Sequence, residues 1–174
     1  MSKPMVITGK CWVLRDSDGG RLDNVDTDQI YHNAHLAVTT ISEMGQYALG
    51  NLEGWEDFPG KVKEGDILVV GHNFGGGSSR QHAVDCFRSL GISAIVGESF
   101  GAIYKRNAIN AGLPLIEVDG ILDSDIVSGD EIKIDLENST VENHTKGKKY
   151  NGVKPFSSVQ KDIYLAGSLF ELSR

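Results

Sequence analysis

An α/β fold built on parallel strands is what this 174-residue chain predicts, and three observations carry that reading. From Asp66 to Ile116, short apolar runs alternate with helix-like stretches through brief links, a rhythm that implies parallel pairing and right-handed crossovers. The first of those links is a glycine-rich decapeptide, Gly71-His72-Asn73-Phe74-Gly75-Gly76-Gly77-Ser78-Ser79-Arg80. Past Gly120 the pattern becomes residue-by-residue alternation in Glu131-Ile132-Lys133-Ile134-Asp135-Leu136, the signature of a half-exposed strand.

The apolar stretch from Met5 to Leu14 reads as the first strand. A polar turn, Asp16-Ser17-Asp18-Gly19-Gly20, and an acidic stretch, Asp23-Asn24-Val25-Asp26-Thr27-Asp28, follow it. Thr40-Ile41-Ser42-Glu43 has the capping-box pattern and predicts a helix with Thr40 as N-cap. That helix runs through Met44, Tyr47 and Ala48 and ends near Gly50. Residues 51–65, with Trp55, Phe58 and Pro59, read as a loop holding a few buried aromatics. Strand 67–70 leads through the glycine loop to helix 80–90, which Gly91 stops. Strand 93–96, a helix from Phe100 to Ala111 ending at Gly112, and a short strand 113–116 complete the alternation. Thr140 to Thr145 pairs with 131–136 as a hairpin. In the tail, Asp162 to Leu172, the spacing of Ile163, Leu165, Leu169 and Leu172 suits a short helix. With no repeat, low-complexity segment or linker, residues 1–174 read as a single domain.

Hydrophobic content of 40% and charged content of 24% are those of an ordinary globular protein. The net charge of −7 argues against nucleic-acid or anionic-membrane partners, which need a basic face. No run spans a membrane, Met1-Ser2-Lys3-Pro4 is no secretory signal, and the expected compartment is the cytoplasm. Cys11 and Cys86 match no metal-ligand spacing. Two thiolates fall short of the three or four ligands that an iron–sulfur cluster or structural zinc takes. They read as reduced, buried core residues, so any cluster sits on another chain and this one holds no metal.

A strand that ends in a glycine turn opening a helix places Ser78, Ser79 and Arg80 where backbone N–H groups are unpaired and the helix dipole is positive. Such a place favours an anion. Two readings of Ser78 stay open. It is a plain N-cap, since Ser78-Ser79-Arg80-Gln81 is itself a capping box. Alternatively, converging N–H groups and a guanidinium stabilise its alkoxide, as a serine base requires. Arg80 beside such a turn suits a bidentate clamp on a carboxylate better than a solvated surface role. Arg106 reads as part of a solvated helix face, and His72 and His82 as structural histidines. Asp23, Asp26 and Asp28 lack the glycine and terminal glutamate of an EF-hand.

Taken together, Gly71-x-Asn73-Phe74-Gly75-x-Gly77-Ser78-Ser79-Arg80-x-His82-Ala83 resembles the signature of the aconitase swivel domain. Within that family it is most similar to the separately encoded small subunits of 3-isopropylmalate dehydratase. Asp26-Thr27-Asp28 resembles the family's acidic motif. The stretch from Glu98-Ser99-Phe100 through Arg106-Asn107-Ala108-Ile109-Asn110 to Gly112-Leu113-Pro114 resembles its second motif, and Ala166-Gly167 its C-terminal helix. Where the family commonly has Glu, Gln81 stands. The resemblance implies a swivelling β/β/α domain with a mixed sheet and flanking helices, docked on a large subunit that carries a [4Fe–4S] cluster. It implies a hydro-lyase that isomerises 2- and 3-isopropylmalate by dehydration and rehydration, in leucine biosynthesis. Ser78 is then the base that abstracts the carbon-bound proton, Arg80 binds substrate carboxylate, and Asp28 is an active-site acid. Ser79 and Gly77 fall on the substrate-binding side of the same turn.

In that family, substrate choice is read from the segment His35-Leu36-Ala37-Val38-Thr39. A tricarboxylate would need a buried cationic partner there. Ala37, Val38 and Thr39 offer none, and no arginine lies between Asn24 and Pro59. An alkyl malate therefore fits, isopropylmalate first and 2,3-dimethylmalate next, ahead of a homoaconitase-type acid. The competing class is a non-enzymatic anion-binding module. A Walker-type nucleotide site is excluded because no Lys-Ser/Thr ends the glycine loop.

Overall fold

The computed structural model describes residues 3–173. Seven strands make one mixed sheet: β1 Val6–Val13, β2 Ile67–Val70, β3 Ala94–Gly97, β4 Leu115–Glu117, β5 Glu131–Asp135, β6 Thr140–Asn143 and β7 Lys148–Lys149. Their order is β4-β3-β2-β1-β5-β6-β7. Strand β1 joins two halves of different character. Its second half pairs in parallel with β2, Cys11 opposite Ile67 through Val13 opposite Val69. Its first half pairs antiparallel with β5, Val6 opposite Asp135 through Lys10 opposite Glu131. β2, β3 and β4 continue the parallel half, and β6 and β7 the antiparallel half.

Burial follows from that division. All four residues of β2 and of β3 are buried, as parallel strands covered on both faces must be, and successive side chains feed two separate cores. Trp12, Leu14, Leu68, Val70 and Ile95 face one core with Phe58, Phe74, Phe87 and Tyr104. Cys11, Val13, Ile67, Val69 and Val96 face the other with Ile132, Ile134, Val141 and Tyr164. In β5 the burial alternates, with Ile132 and Ile134 inside and Glu131 exposed.

The helices are α1 Thr27–Ile30, α2 Ile41–Met44, α3 Phe58–Lys61, α4 His82–Ser89, α5 Ala102–Asn110, α6 Ser158–Ala166 and α7 Leu169–Leu172. None is long and apolar enough to cross a membrane. Several depart from the sequence reading. Thr40 makes no side-chain cap, and α2 lasts four residues before giving way to a 3-10 turn, Gly45–Tyr47. The Gly45 N–H also donates to Ser89 Oγ at 3.1 Å, tying the end of α2 to the end of α4. Residues 51–65 are not all loop, because α3 starts with a proline in its first turn. The tail forms two helices rather than one. Ser157 caps α6 through the Gln160 N–H, and Gly167, at φ +104°, separates it from α7. The Gly167 carbonyl lies where a Cβ on Gly112 would be, so the turn closing α5 and the tail approach each other backbone to backbone.

Candidate functional site

At the C-terminal ends of the parallel strands three segments interlock: the acidic stretch after β1, the glycine loop after β2 and the turn after β3. This is the end of an open parallel sheet where ligands bind. Gly75 N–H donates to the Val25 carbonyl at 2.7 Å and Thr27 N–H to the Gly76 carbonyl at 3.0 Å. On the other flank, Phe74 N–H donates to the Ser99 carbonyl at 3.1 Å and Gly101 N–H to the Phe74 carbonyl at 3.0 Å. The Phe74 ring drops between Phe87, Phe100 and Tyr104, edge-on to the last two. Gly75 has φ +83°, and a Cβ there would overlap the Tyr104 ring. Only glycine fits both conditions. Tyr104 is fixed in turn, donating its hydroxyl to the Ala83 carbonyl at 2.8 Å, and burial pushes its phenol well above the usual range.

Three acids of one short stretch do three different jobs. Asp23 accepts from the His72 N–H at 2.8 Å and pairs with Arg21 at 3.1 Å. These contacts, that of Arg21 foremost, hold its carboxyl below the usual value. Asp26 caps α1. Its carboxylate accepts from the Gln29 N–H at 2.9 Å and the Gln29 side chain accepts from the Asp26 N–H at 3.0 Å. This reciprocal capping box follows an Asp-x-x-Gln pattern readable in the sequence, whereas the patterns at Thr40 and Ser78 form none. Asp28 faces the glycine loop and meets Arg80 Nη1 at 3.0 Å. Arg80, chiefly, and the Asn33 N–H at 3.0 Å keep the Asp28 carboxyl below its usual range.

Ser78 does not cap a helix. α4 begins at His82, its N-cap Gln81 makes no side-chain cap, and Ser78 and Ser79 stand exposed ahead of it. Gly77, at φ +95°, turns the chain out of helical register, and Thr27 Oγ1 holds the Ser78 carbonyl at 3.0 Å. Gln81 reaches forward to Asp85 at 3.3 Å rather than back to Ser78. Among the described residues the Ser78 hydroxyl has no hydrogen-bond partner, whereas Ser79 Oγ accepts from Asn107 Nδ2 at 3.3 Å. Arg80 is largely buried, with 13% of its side chain exposed. Its Nη1 is spent on Asp28 and on the Tyr31 carbonyl at 2.7 Å. Among the described residues its Nε and Nη2 remain uncommitted, a geometry suited to a carboxylate.

The segment 35–39 borders this group but is not uniformly turned to it. Val38 is half-buried and packs on the core with Met44 and Phe87, while Ala37 and Thr39 are exposed. Its carbonyl meets His82 Nε2 at 2.7 Å. Arg106 is exposed on α5, and among the described residues it pairs with no acid. The structure thus places the candidate residues Asp28, Gly77, Ser78, Ser79 and Arg80 at one sheet end, and the sequence reading passed over the groups that hold them: Thr27, Asn107 and the Asp26 cap. It also gave Glu98 no role. That side chain is 1% exposed and accepts from Arg21 and from the Leu122 N–H at 3.0 Å, with His72 Nε2 at 3.1 Å. It braces the glycine loop from behind as a buried carboxylate with compensating partners.

Neither cysteine suits an iron–sulfur cluster. Cys86 and Cys11 are buried in different cores. Burial pushes the Cys11 thiol up to about 12 and the Cys86 thiol higher still, so neither offers the thiolate that a cluster needs.

A family model described as the aconitase C-terminal domain matches residues 15–119. The 3-isopropylmalate dehydratase small subunit of Caldicellulosiruptor bescii is 42% identical over 149 residues, 86% of this chain and 87% of that protein. The isopropylmalate/citramalate isomerase small subunit of Methanocaldococcus jannaschii is 41% identical over 164 residues, 94% of this chain and 91% of that protein. A crystal structure of 3-isopropylmalate dehydratase from Methanocaldococcus jannaschii superposes with a TM-score of 0.84 at 34% identity, covering 97% of this chain and 93% of that one. The chain belongs to the aconitase C-terminal domain family, alongside the small subunits of 3-isopropylmalate dehydratase.

Proposed function

We propose that this chain is the small subunit of a hydro-lyase that interconverts 2- and 3-isopropylmalate, active only with a large subunit. The observation that carries the reading is the ion pair of Asp28 with Arg80 beside the two serines at one sheet end, on an arginine whose remaining donors have no partner among the described residues. In this reading Arg80 holds a substrate carboxylate through Nε and Nη2. Asp28 fixes the guanidinium plane and, as an ionised partner, keeps it oriented. Ser78, its hydroxyl uncommitted among the described residues, takes the carbon-bound proton next to the carboxylate as an alkoxide. The C–H electron pair becomes the C=C bond while hydroxide leaves the neighbouring carbon. On rehydration hydroxide adds to one carbon and Ser78 returns the proton to the other. Arg80 stabilises that alkoxide. Ser79, tied to Asn107, helps seat the substrate. The large subunit supplies the [4Fe–4S] cluster, since the cysteines of this chain do not fit one. An alkyl substituent lies against the uncharged turn at 35–39, and the citramalate in the name of one relative is itself an alkyl malate. The test is co-expression with a cluster-carrying large subunit of the same family, followed by anaerobic hydratase assays on isopropylmalate, 2,3-dimethylmalate, citramalate and homocitrate-type acids. Turnover of alkyl malates only by the assembled pair is the expected result, and no turnover of any hydroxy acid would leave the anion-binding module.

A further inference from the structure

The turn that borders the proposed substrate site is clamped at both ends. Val38 N–H donates back to the His35 carbonyl at 3.2 Å, closing a turn with Leu36 and Ala37 at its tip. At the near end the Tyr31 hydroxyl also donates to the His35 carbonyl, at 2.8 Å. The His35 ring stacks on Tyr47 with centroids 3.9 Å apart and planes 10° from parallel. At the far end His82 Nε2 meets the Val38 carbonyl at 2.7 Å, while the Val38 side chain packs into the core. A carbonyl only accepts, so Nε2 carries the proton of this bond. The His82 ring lies 5.0 Å from the Tyr31 ring, and the Tyr31 carbonyl is the one that Arg80 Nη1 binds. Arg80 and His82, two residues apart at the start of α4, thus each grip one carbonyl of the segment 31–38.

We propose that His82 is a positioning residue for substrate selection, holding the turn 35–38 so that the exposed Leu36 and Ala37, and not the core-packed Val38, meet the substituent of the substrate. The inference rests on the function proposed above, because it takes the turn as a wall of that site. It adds the means by which the residues that bind the carboxylate and the turn that reads the alkyl group keep a common register. Both hang from one end of one helix, so a shift of the turn moves the reading surface relative to Arg80. Displacing a reacting group by about 1 Å costs on the order of 10²-fold in rate. A few methylenes of misfit change discrimination by roughly 10–200-fold.

The test separates the bond from the ring. His82→Phe keeps an aromatic ring against Tyr31 and removes the donor; His82→Gln keeps a donor and removes the ring. In the assembled enzyme, kcat/KM is measured for isopropylmalate and for unsubstituted malate, and amide hydrogen exchange is followed at residues 36–39. His82→Phe is expected to lower the isopropylmalate-to-malate ratio about tenfold or more, mainly through KM for the alkyl substrate, and to speed exchange in the turn. His82→Gln is expected to restore both to within a few-fold of the wild type. An unchanged ratio and unchanged exchange in a folded, active His82→Phe complex would overturn the proposal. So would failure of His82→Gln to restore either. If the wild-type complex turns over neither acid, the function reading has failed, and exchange alone decides whether His82 holds the turn. Faster exchange in His82→Phe with recovery in His82→Gln supports that hold, and no change refutes it.

Discussion

Thr27 Oγ1 donates to the carbonyl of Ser78 across 3.0 Å, joining two motifs that lie 51 residues apart in the chain. With the Thr27 N–H on the Gly76 carbonyl, this contact draws the Ser-Ser-Arg segment off the helix axis, and among the described residues the Ser78 hydroxyl has no partner. A serine at a helix N-terminus would have used that oxygen for the backbone. Here it is available for chemistry.

The consequence for Ser78→Ala is a separation of activity from stability. In the assembled enzyme turnover should fall by about 10²–10⁴-fold, the span for losing a positioned base. Stability should change by no more than about 0.5 kcal/mol, since the exposed side chain caps nothing. Steady-state kinetics and urea unfolding of the same preparation give the two numbers. Near-normal turnover would move the role to Ser79.

Asp28 predicts an acid-side signature. Arg80 and the Asn33 N–H lower its carboxyl in the folded state relative to the unfolded one. Its stabilising contribution is therefore complete above the ordinary aspartate value of about 3.9 and disappears as pH falls through the lower folded value. The melting temperature of the wild type should fall more steeply on acidification than that of Asp28→Asn, which cannot lose the charge. Parallel curves would mean that the pair, with 42% of the Asp28 side chain exposed, adds nothing measurable.

Gly75→Ala should fail structurally. The new methyl meets the Tyr104 ring while φ stays positive, and each misfit is destabilising, together by more than about 1 kcal/mol. Thermal unfolding of the isolated chain measures it, and wild-type stability would show that the loop relaxes around the methyl.

Selectivity is best probed at Ala37. An arginine at Val38 would have to leave the core that Val38 packs on, whereas Ala37 is exposed at the turn tip. Ala37→Arg supplies a cation for a third carboxylate and should move kcat/KM toward homocitrate-type acids by about tenfold for each 1.4 kcal/mol gained. A rise in neither tricarboxylate rate nor affinity would place the specifying charge on the large subunit.

Iron and sulfide reconstitution of this chain alone should yield no [4Fe–4S] absorbance, since both thiols are buried and disfavour the thiolate. A stoichiometric cluster on the isolated chain would contradict the division of labour between the subunits.

Much of this protein was legible in its residues. The strand–helix rhythm from Asp66 to Ile116 and the 131–136 alternation predicted the parallel and antiparallel halves of the sheet, because burial on two faces or on one leaves a direct mark on composition. The glycine loop, Asp28, Ser78 and Arg80 stand out as candidates by chemistry and by resemblance, and the fold brings Asp28 and Arg80 into contact. What the pattern misjudged was which local hydrogen bonds form. Thr40 and Ser78 carry capping sequences that cap nothing, while Asp26 and Gln29 form the box that exists. A capping side chain competes with every other partner the fold brings near. The Glu43 N–H that a Thr40 cap would take donates instead to the Thr40 carbonyl at 3.0 Å. The positive φ of Gly77 with the Thr27 bond to the Ser78 carbonyl, across 51 residues that no window of sequence contains, carries Ser78 away from the start of α4. The clamp of His82 on Val38 belongs to the same class. Local pattern determines which segments become strands and where glycine is obligatory; the distant partners that only folding supplies decide which polar groups stay free to react.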